Sequence, residues 1–433
     1  FQQQVAQEKA QVEGAIAKVA GLKIDQHQAR TRQLRRGAWL CREHQDVLGA
    51  DVGMDQAAHV FTNAADQTID IAMYNMETGS SSPVIEAFKD PKVQTRLRDG
   101  SLSVRVIFEG YGTPAENAAK MSELEAIGLD VRSLSSGKHV HHKFAIIDGD
   151  SKTRSRVVTG SANWSLTSYR NYDENMLFIE NELETTAQYG QEFELLWGNS
   201  TEFGTATTHP KRTFAFSGPF KKDELDAYFN APRLLKKDKN PDHVITSQIV
   251  RLIDSAKSEL SIATTRVRLQ PVLEALKAAA DRGVKIRILI SQDDFHDLNK
   301  RAEWLFGNPN LELRVKFYSL RPSDYLTFQM HSKWMIVDRK KVFSGSFNWS
   351  ESSENSHIEN VLEMSGARAA EVLPTYEAKF DELWERGRQK LPGFQAELKE
   401  KREKRETPTC GFSPISLSYT EVRDLLALAP RCK

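Results

Sequence analysis

The sequence predicts an α/β protein in which two tandem α/β/α sandwich domains are related by approximate twofold symmetry, with a helical extension at each end. The first observation behind this prediction is a polar stretch that occurs twice, between His139 and Asn175 and again between Met330 and Asn360. The second is that apolar patterns typical of strands and helices recur in the same order around both copies. The third is length, because 433 residues suffice for two or three domains with their own cores.

Composition describes a globular chain and narrows the classes of function. Apolar residues make up 39% of the chain and charged residues 27%, and 59 Lys and Arg residues balance 59 Asp and Glu residues. This balance argues against a dedicated duplex-DNA-binding protein, which usually has a net basic surface. No apolar run approaches the roughly 20 residues needed to cross a bilayer, so any action on lipid is expected at the membrane surface.

The cysteines and the first residue bear on the cellular compartment. Cys410 and Cys432 flank a short C-terminal segment, whereas Cys41 stands alone. A disulfide between the first two and three free thiols in a reducing compartment are both open interpretations. The chain begins at Phe1 instead of Met, which fits either removal of a signal peptide or a trimmed sequence, and of these we favour an exported protein, secreted or periplasmic.

The N-terminal extension, residues 1–45, is predicted to be helical. Apolar residues at helical spacing indicate an amphipathic helix that packs on the main body. We interpret the arginines that follow as a solvated helix end, with a phosphate-binding patch as the alternative. The apolar positions are Val5, Val12, Ile16 and Val19, and the arginines are Arg30, Arg32, Arg35 and Arg36.

Residues 46–200 are predicted to form the first α/β domain. Its strands are expected at 68–76, 102–110 and 129–134, in KFAIID and in SRVVTGS, and its helices at 82–90, around 117–127 and in a segment with Phe193 and Trp197. Strands that alternate with helices predict a sheet covered on both faces.

Residues 241–390 repeat this order and are predicted to form the second domain. Its strands are expected at 259–267, 284–291 and 311–318, in MHSKWMIVD and in KVFSGS, and its helices at 272–283 and in a segment with Phe380 and Trp384. The intervening residues 201–240, rich in Ser, Thr, Lys and Pro, are predicted to be a surface linker. Residues 391–433 are predicted to be a helical tail, interrupted at PTCGFSP.

The repeated stretch matches at nine positions. These are His141, Lys143, Asp148, Gly160, Ser161, Asn163, Trp164, Ser165 and Glu174 in the first copy, and His331, Lys333, Asp338, Gly345, Ser346, Asn348, Trp349, Ser350 and Glu359 in the second.

The motif residues are suited to binding a phosphate group. Residues two apart on a strand point to the same face, so His141 and Lys143 project together while His142 points away. The same holds for the second copy. Lysine and asparagine side chains donate well to non-bridging phosphate oxygens, so the two lysines with Asn163 and Asn348 predict one phosphate site with four donors and no metal.

The two motif histidines indicate a division of labour in catalysis. A neutral imidazole can attack phosphorus, and a protonated imidazole on the other side can give its proton to the leaving oxygen. Each imidazole needs a partner that sets its tautomer. Glu174 and Glu359, which follow the two asparagines at equal spacing, are the predicted partners.

The pattern His-x-Lys-x-x-x-x-Asp followed by Gly-Ser-x-Asn, present twice, resembles the HKD signature of the phospholipase D superfamily. The order of strands and helices extends this resemblance over roughly residues 46–390. The resemblance implies a metal-independent phosphodiester transfer through a covalent phosphohistidine, with both halves building one site and no cofactor. It also implies that His141 is the nucleophile and that His331 is the general acid and later the base.

The remaining motif residues receive supporting roles. Asp148 and Asp338 lie at the far end of their strands and are assigned a structural role. Ser161 and Ser346 are predicted to contact the substrate.

Other residues near the motifs have structural interpretations. A zinc site in the first copy is disfavoured, because the second copy has Ser332 in place of His142 and no histidine at the position of His139. Trp164 and Trp349 are predicted to pack beneath the site. His357 is predicted to lie at the surface in a helix or turn, with a place in the lining of the pocket as the alternative. The residues considered for zinc are His139, His141, His142 and Asp148.

The resemblance leaves the substrate class open. Gly-Ser-x-Asn-Trp-Ser with a later Glu-Asn is more similar to the branch that contains bacterial endonucleases and mitochondrial cardiolipin hydrolase than to the larger secreted phospholipases. Balanced charge and the amphipathic first helix favour phospholipid, whereas the arginines at 30–36 and the strand LELRVKF favour nucleic acid.

Our prediction is a phospholipase D-type phosphodiesterase that hydrolyses phospholipid head groups at a membrane surface. A non-specific endonuclease that uses the same residues is the alternative. A binding protein that has kept the fold without catalysis is a third class, which the intact set of His, Lys and Asn residues disfavours. A monomer is expected, because both half-sites lie in one chain.

Overall fold

The computed structural model of the protein describes the main body of the chain. The described residues are 39–40, 58, 61, 65–79, 82–134, 136–205, 209, 212–236, 245–301, 303–321, 324, 327–429 and 432. Residues Ala38–Lys433 form one compact unit. The predicted amphipathic helix and the arginine cluster of the N-terminal extension lie outside the described residues.

The elements of the first half alternate between strands and helices, as predicted. The strands are β1 (Trp39–Leu40), β2 (Thr68–Met73), β3 (Ser103–Phe108), β4 (Asp130–Leu134), β5 (His139–Val140), β6 (Lys143–Ile147), β7 (Arg156–Gly160), β8 (Met176–Glu180) and β9 (Ser200–Glu202), and the helices are α1 (Pro83–Lys89), α2 (Pro91–Asp99), α3 (Pro114–Ala126), α4 (Leu166–Asn171) and α5 (Leu183–Gly198).

The second half has a corresponding set of elements. The strands are β10 (Leu225–Phe229), β11 (Glu259–Thr264), β12 (Lys285–Ser291), β13 (Leu311–Ser319), β14 (Lys333–Val337), β15 (Lys341–Gly345), β16 (His357–Ile358), β17 (Asn360–Met364) and β18 (Gly411–Ser418), and the helices are α6 (Ala231–Lys236), α7 (Ile245–Ser255), α8 (Gln270–Asp281), α9 (Gln292–Arg301), α10 (Glu351–Asn355), α11 (Gly366–Glu385), α12 (Leu391–Glu403) and α13 (Tyr419–Leu428).

The two large sheets share one topology. The first has the order β1-β8-β7-β6-β2-β3-β4-β9 and the second the order β10-β17-β15-β14-β11-β12-β13-β18. In both, three parallel strands, β2-β3-β4 and β11-β12-β13, continue through antiparallel strands that carry the motif residues. The six inner strands of each sheet therefore correspond one to one, and the predicted fold class of two repeated α/β halves is confirmed.

The core lies in three layers, one in each half and one shared between them. Successive side chains of β14 point into different layers. Met335 and Val337 pack into the core of the second half, whereas Trp334 and Ile336 pack into the shared core. A strand buried on both faces reads as a continuous apolar run, which explains why KWMIV shows no polar alternation. The helices α5 and α11 contribute Phe193 and Phe380 to the shared core.

Three chain segments differ from their predicted conformation, because each completes a sheet edge. The predicted linker contains β10, which pairs antiparallel with β17. The predicted helical tail contains β18, which pairs antiparallel with β13, and Cys410 next to it is disulfide-bonded to Cys432. Within the predicted N-terminal helical extension, β1 pairs with β8. Edge pairing satisfies backbone groups that local sequence patterns do not reveal.

Two buried asparagines join the halves across the shared core. The side-chain amide of Asn360 donates to Thr159 Oγ1 at 3.0 Å and to the Tyr189 hydroxyl at 2.8 Å, both in the first half. Its side-chain oxygen lies 3.0 Å from Nδ1 of His142. Asn175 makes the reciprocal contacts to Ser344 and Tyr376, so the Asn of each Glu-Asn pair bonds to the opposite half.

We expect Asn360→Ala to destabilise the protein by roughly 2–4 kcal/mol, because it removes buried hydrogen bonds to Thr159, to the Tyr189 hydroxyl and to Nδ1 of His142. Chemical denaturation followed by tryptophan fluorescence measures this change. The control is Asn355→Ala, at an exposed position, which should change stability by less than about 0.5 kcal/mol. Equal effects of the two substitutions would contradict this account of the interface.

Candidate active site between the two halves

The four basic motif residues lie at matching positions at the inner ends of β6 and β14. His141 and Lys143 in the first half, and His331 and Lys333 in the second, are all buried. The Lys143 ammonium donates to the backbone oxygen of His141 at 2.5 Å, and Lys333 makes the same contact with His331. Each lysine is thus held beside its own histidine. His142 points away into the shared core, as the strand periodicity predicts.

Each histidine takes its carboxylate partner from the other half of the molecule. Nδ1 of His141 lies 2.8 Å from Oε2 of Glu359, and Nδ1 of His331 lies 2.7 Å from Oε1 of Glu174. The sequence predicted the two glutamates as partners, and the crossed pairing is visible only in the fold. In both pairs Nδ1 is engaged, which leaves Nε2 for chemistry.

The two half-sites lie within electrostatic reach of each other. The charges of Lys333 and His331 lower the pKa of His141, after the larger effects of burial and of Lys143. The charge of Lys143 in turn lowers the pKa of His331. The motif residues of both halves therefore form one cluster of ionisable groups.

The structure corrects the role predicted for Ser161 and Ser346. Both hydroxyls are fully buried beneath the site. The Ser161 hydroxyl donates to Oε2 of Glu174 at 2.5 Å, and the Ser346 hydroxyl donates to Oε2 of Glu359 at 2.6 Å. Because each hydroxyl is engaged with a carboxylate, these serines position the glutamates that bond to the histidines.

The asparagines of the motif differ from the serines in that their side-chain oxygens lack partners. Asn163 is buried and Asn348 is half-buried, and the side-chain oxygen of each has no hydrogen-bond partner among the described residues. Trp164 and Trp349, next in sequence, are buried as predicted and pack in the cores of the two halves.

The motif aspartates hold the central strands. Asp148 and Asp338 both adopt a left-handed backbone conformation, with φ of 47° and 50°. The carboxylate of Asp148 accepts hydrogen bonds from the backbone amides of residues 66–68, and that of Asp338 from the amides of residues 257–259. Both aspartates thus cap the strand that lies next to the motif strand, as expected for a structural role.

His357 lies inside the site, contrary to its predicted surface position. It belongs to β16, which pairs in parallel with β5 of the first half. Its ring centroid lies 5.3 Å from that of His141. Tyr172 occupies the equivalent position in the first half, two residues before Glu174, and packs 5.4 Å from His331. Counting back two residues from each motif glutamate would have revealed this pair.

The four residues considered for zinc in the sequence do not converge. His139 bonds to Glu109, at 2.7 Å, and His142 bonds within the shared core. Asp148 bonds to backbone amides at the far end of its strand. Only His141 of this set lies in the candidate active site.

Burial opposes the charged forms of the basic residues of the site. Desolvation is the largest cause that lowers the pKa of His141 well below its usual value and that of His331 to about 4. Desolvation likewise lowers the pKa of Lys143 well below its usual range and that of Lys333 to about 8. A bound phosphate anion would favour the charged forms of all four groups.

The pKa values of the two motif glutamates are shifted in opposite directions. Burial raises the pKa of Glu359 to about 8, which favours the protonated form of its carboxyl. Burial also opposes ionisation of Glu174, but the charge of His331 and the hydrogen bond to it outweigh burial and lower the pKa of Glu174. The surroundings of the two similar pairs therefore favour different charges on their glutamates.

The repeated halves, their crossed His–Glu pairs and the shared cluster of lysines define a phospholipase D-like protein with two half-sites in one chain. The sequence profile of the PLD-like domain of cardiolipin synthase matches residues 60–197 and 249–384, and the chain belongs to this family. The two matched ranges coincide with the two halves of the fold.

Known proteins with similar sequences include enzymes named for lipid substrates. The chain is 35% identical over 101 residues to mitochondrial cardiolipin hydrolase of Xenopus tropicalis, which covers 23% of this chain and 45% of that protein. It is 30% identical over 136 residues to the Homo sapiens protein of the same name, which covers 31% of this chain and 51% of that protein. A phospholipase D of Rickettsia prowazekii is 29% identical over 126 residues, covering 29% and 57%. The chain spans about half the length of these relatives.

Solved structures show the same fold at low sequence identity. Phosphatidylserine synthase of Haemophilus influenzae aligns over 77% of this chain and 84% of its own, with a TM-score of 0.57 and 12% identity. Polyphosphate kinase of Porphyromonas gingivalis aligns over 81% of this chain and 47% of its own, with a TM-score of 0.53 and 14% identity. At these identities the likeness concerns the fold alone.

We expect Glu359→Gln to stabilise the protein at pH 8 relative to wild type. A raised pKa means that folding favours the protonated carboxyl, so its contribution is complete below about pH 4.5 and is lost as the pH rises towards about 8. Glutamine keeps the neutral shape at every pH. Melting temperatures measured from pH 5 to pH 8 test this, and the gap between variant and wild type should widen with pH.

Glu174→Gln is the matched control with the opposite sign. Its lowered pKa contributes stability above about pH 4.5, which is lost on acidification, so this variant should be less stable than wild type at pH 8. Parallel pH profiles for the two variants would contradict the assigned protonation states.

Proposed function

We propose that the protein is a phospholipase D-type phosphodiesterase that hydrolyses the head-group phosphodiester of phospholipids. The observation that carries this proposal is the pair of crossed His–Glu contacts, which brings both halves to one cluster with two lysines and two asparagines. The names of the sequence relatives, cardiolipin hydrolase and phospholipase D, support a lipid substrate. Since both half-sites lie in one chain, a monomer suffices for activity.

The reaction proceeds in two displacements on phosphorus. Nε2 of His141 attacks the phosphorus atom and forms a P–N bond, while the P–O bond to the leaving alcohol breaks and His331 gives that oxygen a proton. Water then attacks the phosphohistidine, His331 takes a proton from it, and the P–N bond breaks. This cycle releases phosphatidic acid and restores both imidazoles.

The charge states of the glutamates support this assignment of roles. Ionised Glu174 beside Nδ1 of His331 stabilises the imidazolium that a general acid must supply. Protonated Glu359 beside His141 provides no such charge, which leaves that imidazole neutral and nucleophilic. The same two residue types thus serve as nucleophile and acid because their surroundings differ.

The lysines and asparagines serve the phosphate itself. Lys143 and Lys333 are fully buried cations at one cluster, and such cations stabilise charge on transferred phosphoryl oxygens strongly where water is excluded. Asn163 and Asn348 bring the number of side chains that bind the phosphate to four. The proposed mechanism uses no metal ion. Release of the lysines from backbone oxygens to phosphate oxygens accompanies binding.

Surface features near the site favour lipid over nucleic acid. In the strand LELRVKF, Arg314 pairs with Glu312 and Glu385, and buried Lys316 pairs with Asp173, so neither presents a free charge to a polyanion. Tyr111, 62% exposed, packs on Tyr74, which contacts the ring of His141. An exposed tyrosine beside the nucleophile suits contact with a membrane interface.

An endonuclease is the second candidate, since an exposed aromatic ring next to the reacting group also suits stacking on a nucleic-acid base. Both candidates use the same catalytic residues. The two candidate substrates differ in the groups esterified to the phosphate, which are diacylglycerol and a head group in a phospholipid and two nucleosides in a nucleic acid.

A panel of substrates decides between the two candidates. Liposomes containing phosphatidylcholine, phosphatidylethanolamine or phosphatidylglycerol should yield phosphatidic acid and the free head-group alcohol, and liposomes containing cardiolipin should yield phosphatidic acid and phosphatidylglycerol. Single-stranded and duplex DNA and RNA are assayed beside them, all in EDTA. Cleavage of nucleic acid alone would establish the endonuclease, and no turnover of any substrate by folded protein would favour a binding protein. Activity lost in EDTA would contradict the metal-free mechanism.

We expect His331→Asn to accumulate a phosphorylated enzyme and His141→Asn to form none. Without the general base, attack of water slows by about 10²–10⁴-fold, whereas without the nucleophile the P–N bond never forms. Intact-protein mass spectrometry after rapid mixing with substrate measures the adduct. The reverse pattern would exchange the roles of the two histidines.

A further inference from the structure

A second imidazole lies beside the proposed nucleophile and has no assigned part in the reaction. Nδ1 of His357 is buried, has no hydrogen-bond partner among the described residues, and lies 3.8 Å from Oε1 of Glu359. Oε1 is also buried without a hydrogen-bond partner among those residues. One ligand atom from each of His141, His357 and Glu359 lies within 4.8 Å of the other two.

Two imidazole nitrogens and one carboxylate oxygen form a set of three ligands that suits zinc. Tetrahedral zinc binds nitrogen and carboxylate oxygen at about 2.0–2.2 Å, which places ligand atoms about 3.3–3.5 Å apart. The 3.8 Å separation between His357 and Glu359 is close to this spacing, and small side-chain rotations close the rest. Three protein ligands leave the fourth position of the metal open.

We propose that His141, His357 and Glu359 form an inhibitory zinc site, in which the metal occupies the proposed nucleophile and blocks phosphoryl transfer. This inference rests on the proposed function, because inhibition follows only if His141 is the nucleophile. Lys143, beside His141, repels the metal and limits its affinity, so the site responds to added zinc instead of retaining it permanently.

The other half of the molecule provides an internal comparison. At the position equivalent to His357 it has Tyr172, whose ring packs on His331 at 5.4 Å. A phenol is a poor substitute for imidazole as a zinc ligand, and the described residues gather no second histidine at that half-site. The metal site is therefore specific to the half that carries the nucleophile.

Calorimetric titration of the full chain with Zn²⁺, after treatment with EDTA and dialysis, tests the site without any assay of activity. His357→Tyr gives the first half-site the ring found in the second, so packing is retained and a ligand is lost. We expect the number of zinc ions bound to fall by one in this variant. Co²⁺ should give visible absorption bands of tetrahedral cobalt that weaken in the same variant.

The control is Tyr172→Phe, which keeps a ring against His331 and removes no ligand of the proposed site. It should bind zinc like wild type. Melting temperature and helix content are measured for every variant, and zinc binding is compared among those that match wild type in both. Unchanged zinc stoichiometry in His357→Tyr would overturn the proposal. Equal loss in both variants would also overturn it, because the loss would then reflect disturbed packing.

Turnover of bis(p-nitrophenyl) phosphate with and without Zn²⁺ links the metal to the reaction. Saturating zinc should lower wild-type turnover at least tenfold and leave the relative activity of His357→Tyr within about twofold. Zinc binding that depends on His357 without any turnover would refute the proposed function and keep the metal site. Turnover that zinc inhibits equally in both proteins would refute the zinc site alone.

Discussion

The contact on which the rest of this structure depends is the bond between each histidine and a carboxylate from the opposite half. Glu359 reaches His141 and Glu174 reaches His331, at 2.8 and 2.7 Å. Neither half therefore holds a complete His–Glu pair by itself. The shared apolar core and the reciprocal asparagine contacts keep the two sheets in the register that these bonds require.

The site concentrates ionisable groups where burial opposes their charge. Two lysines, two histidines and two glutamates lie together almost without exposure to solvent. Removing such groups from water costs several kcal/mol for each ion, and hydrogen bonds and opposite charges offset only part of this cost. The lowered pKa values of the lysines reflect this cost of burying charge, and a bound phosphate anion would offset it. The same burial that disfavours the empty site thus favours the proposed substrate.

Approximate symmetry supplies the site, and departures from symmetry distinguish its two sides. The backbone amides of His141 and His331 donate to the equivalent residues Ile358 and Asp173. The carboxylate of Asp173 is buried with Lys316 and Arg386, at 2.7 Å from each, whereas Ile358 has no charge to offer. His357 opposite Tyr172 is a second departure. In the proposed mechanism, differences of this kind let one duplicated unit provide both a nucleophile and an acid.

The amino-acid sequence by itself determined the duplication, the alternating strands and helices, and the residue types at the site, because those features follow local periodicity and spacing. It identified Glu174 and Glu359 but not their crossed pairing, and it assigned Ser161 and Ser346 to the substrate although they support the glutamates from below. It also missed β10 and β18, which complete sheet edges, and misplaced His357. The crossed pairing, the serine contacts, the two edge strands and the position of His357 were decided by the tertiary structure alone. They depend on contacts between segments far apart in the chain, which local sequence patterns do not reveal.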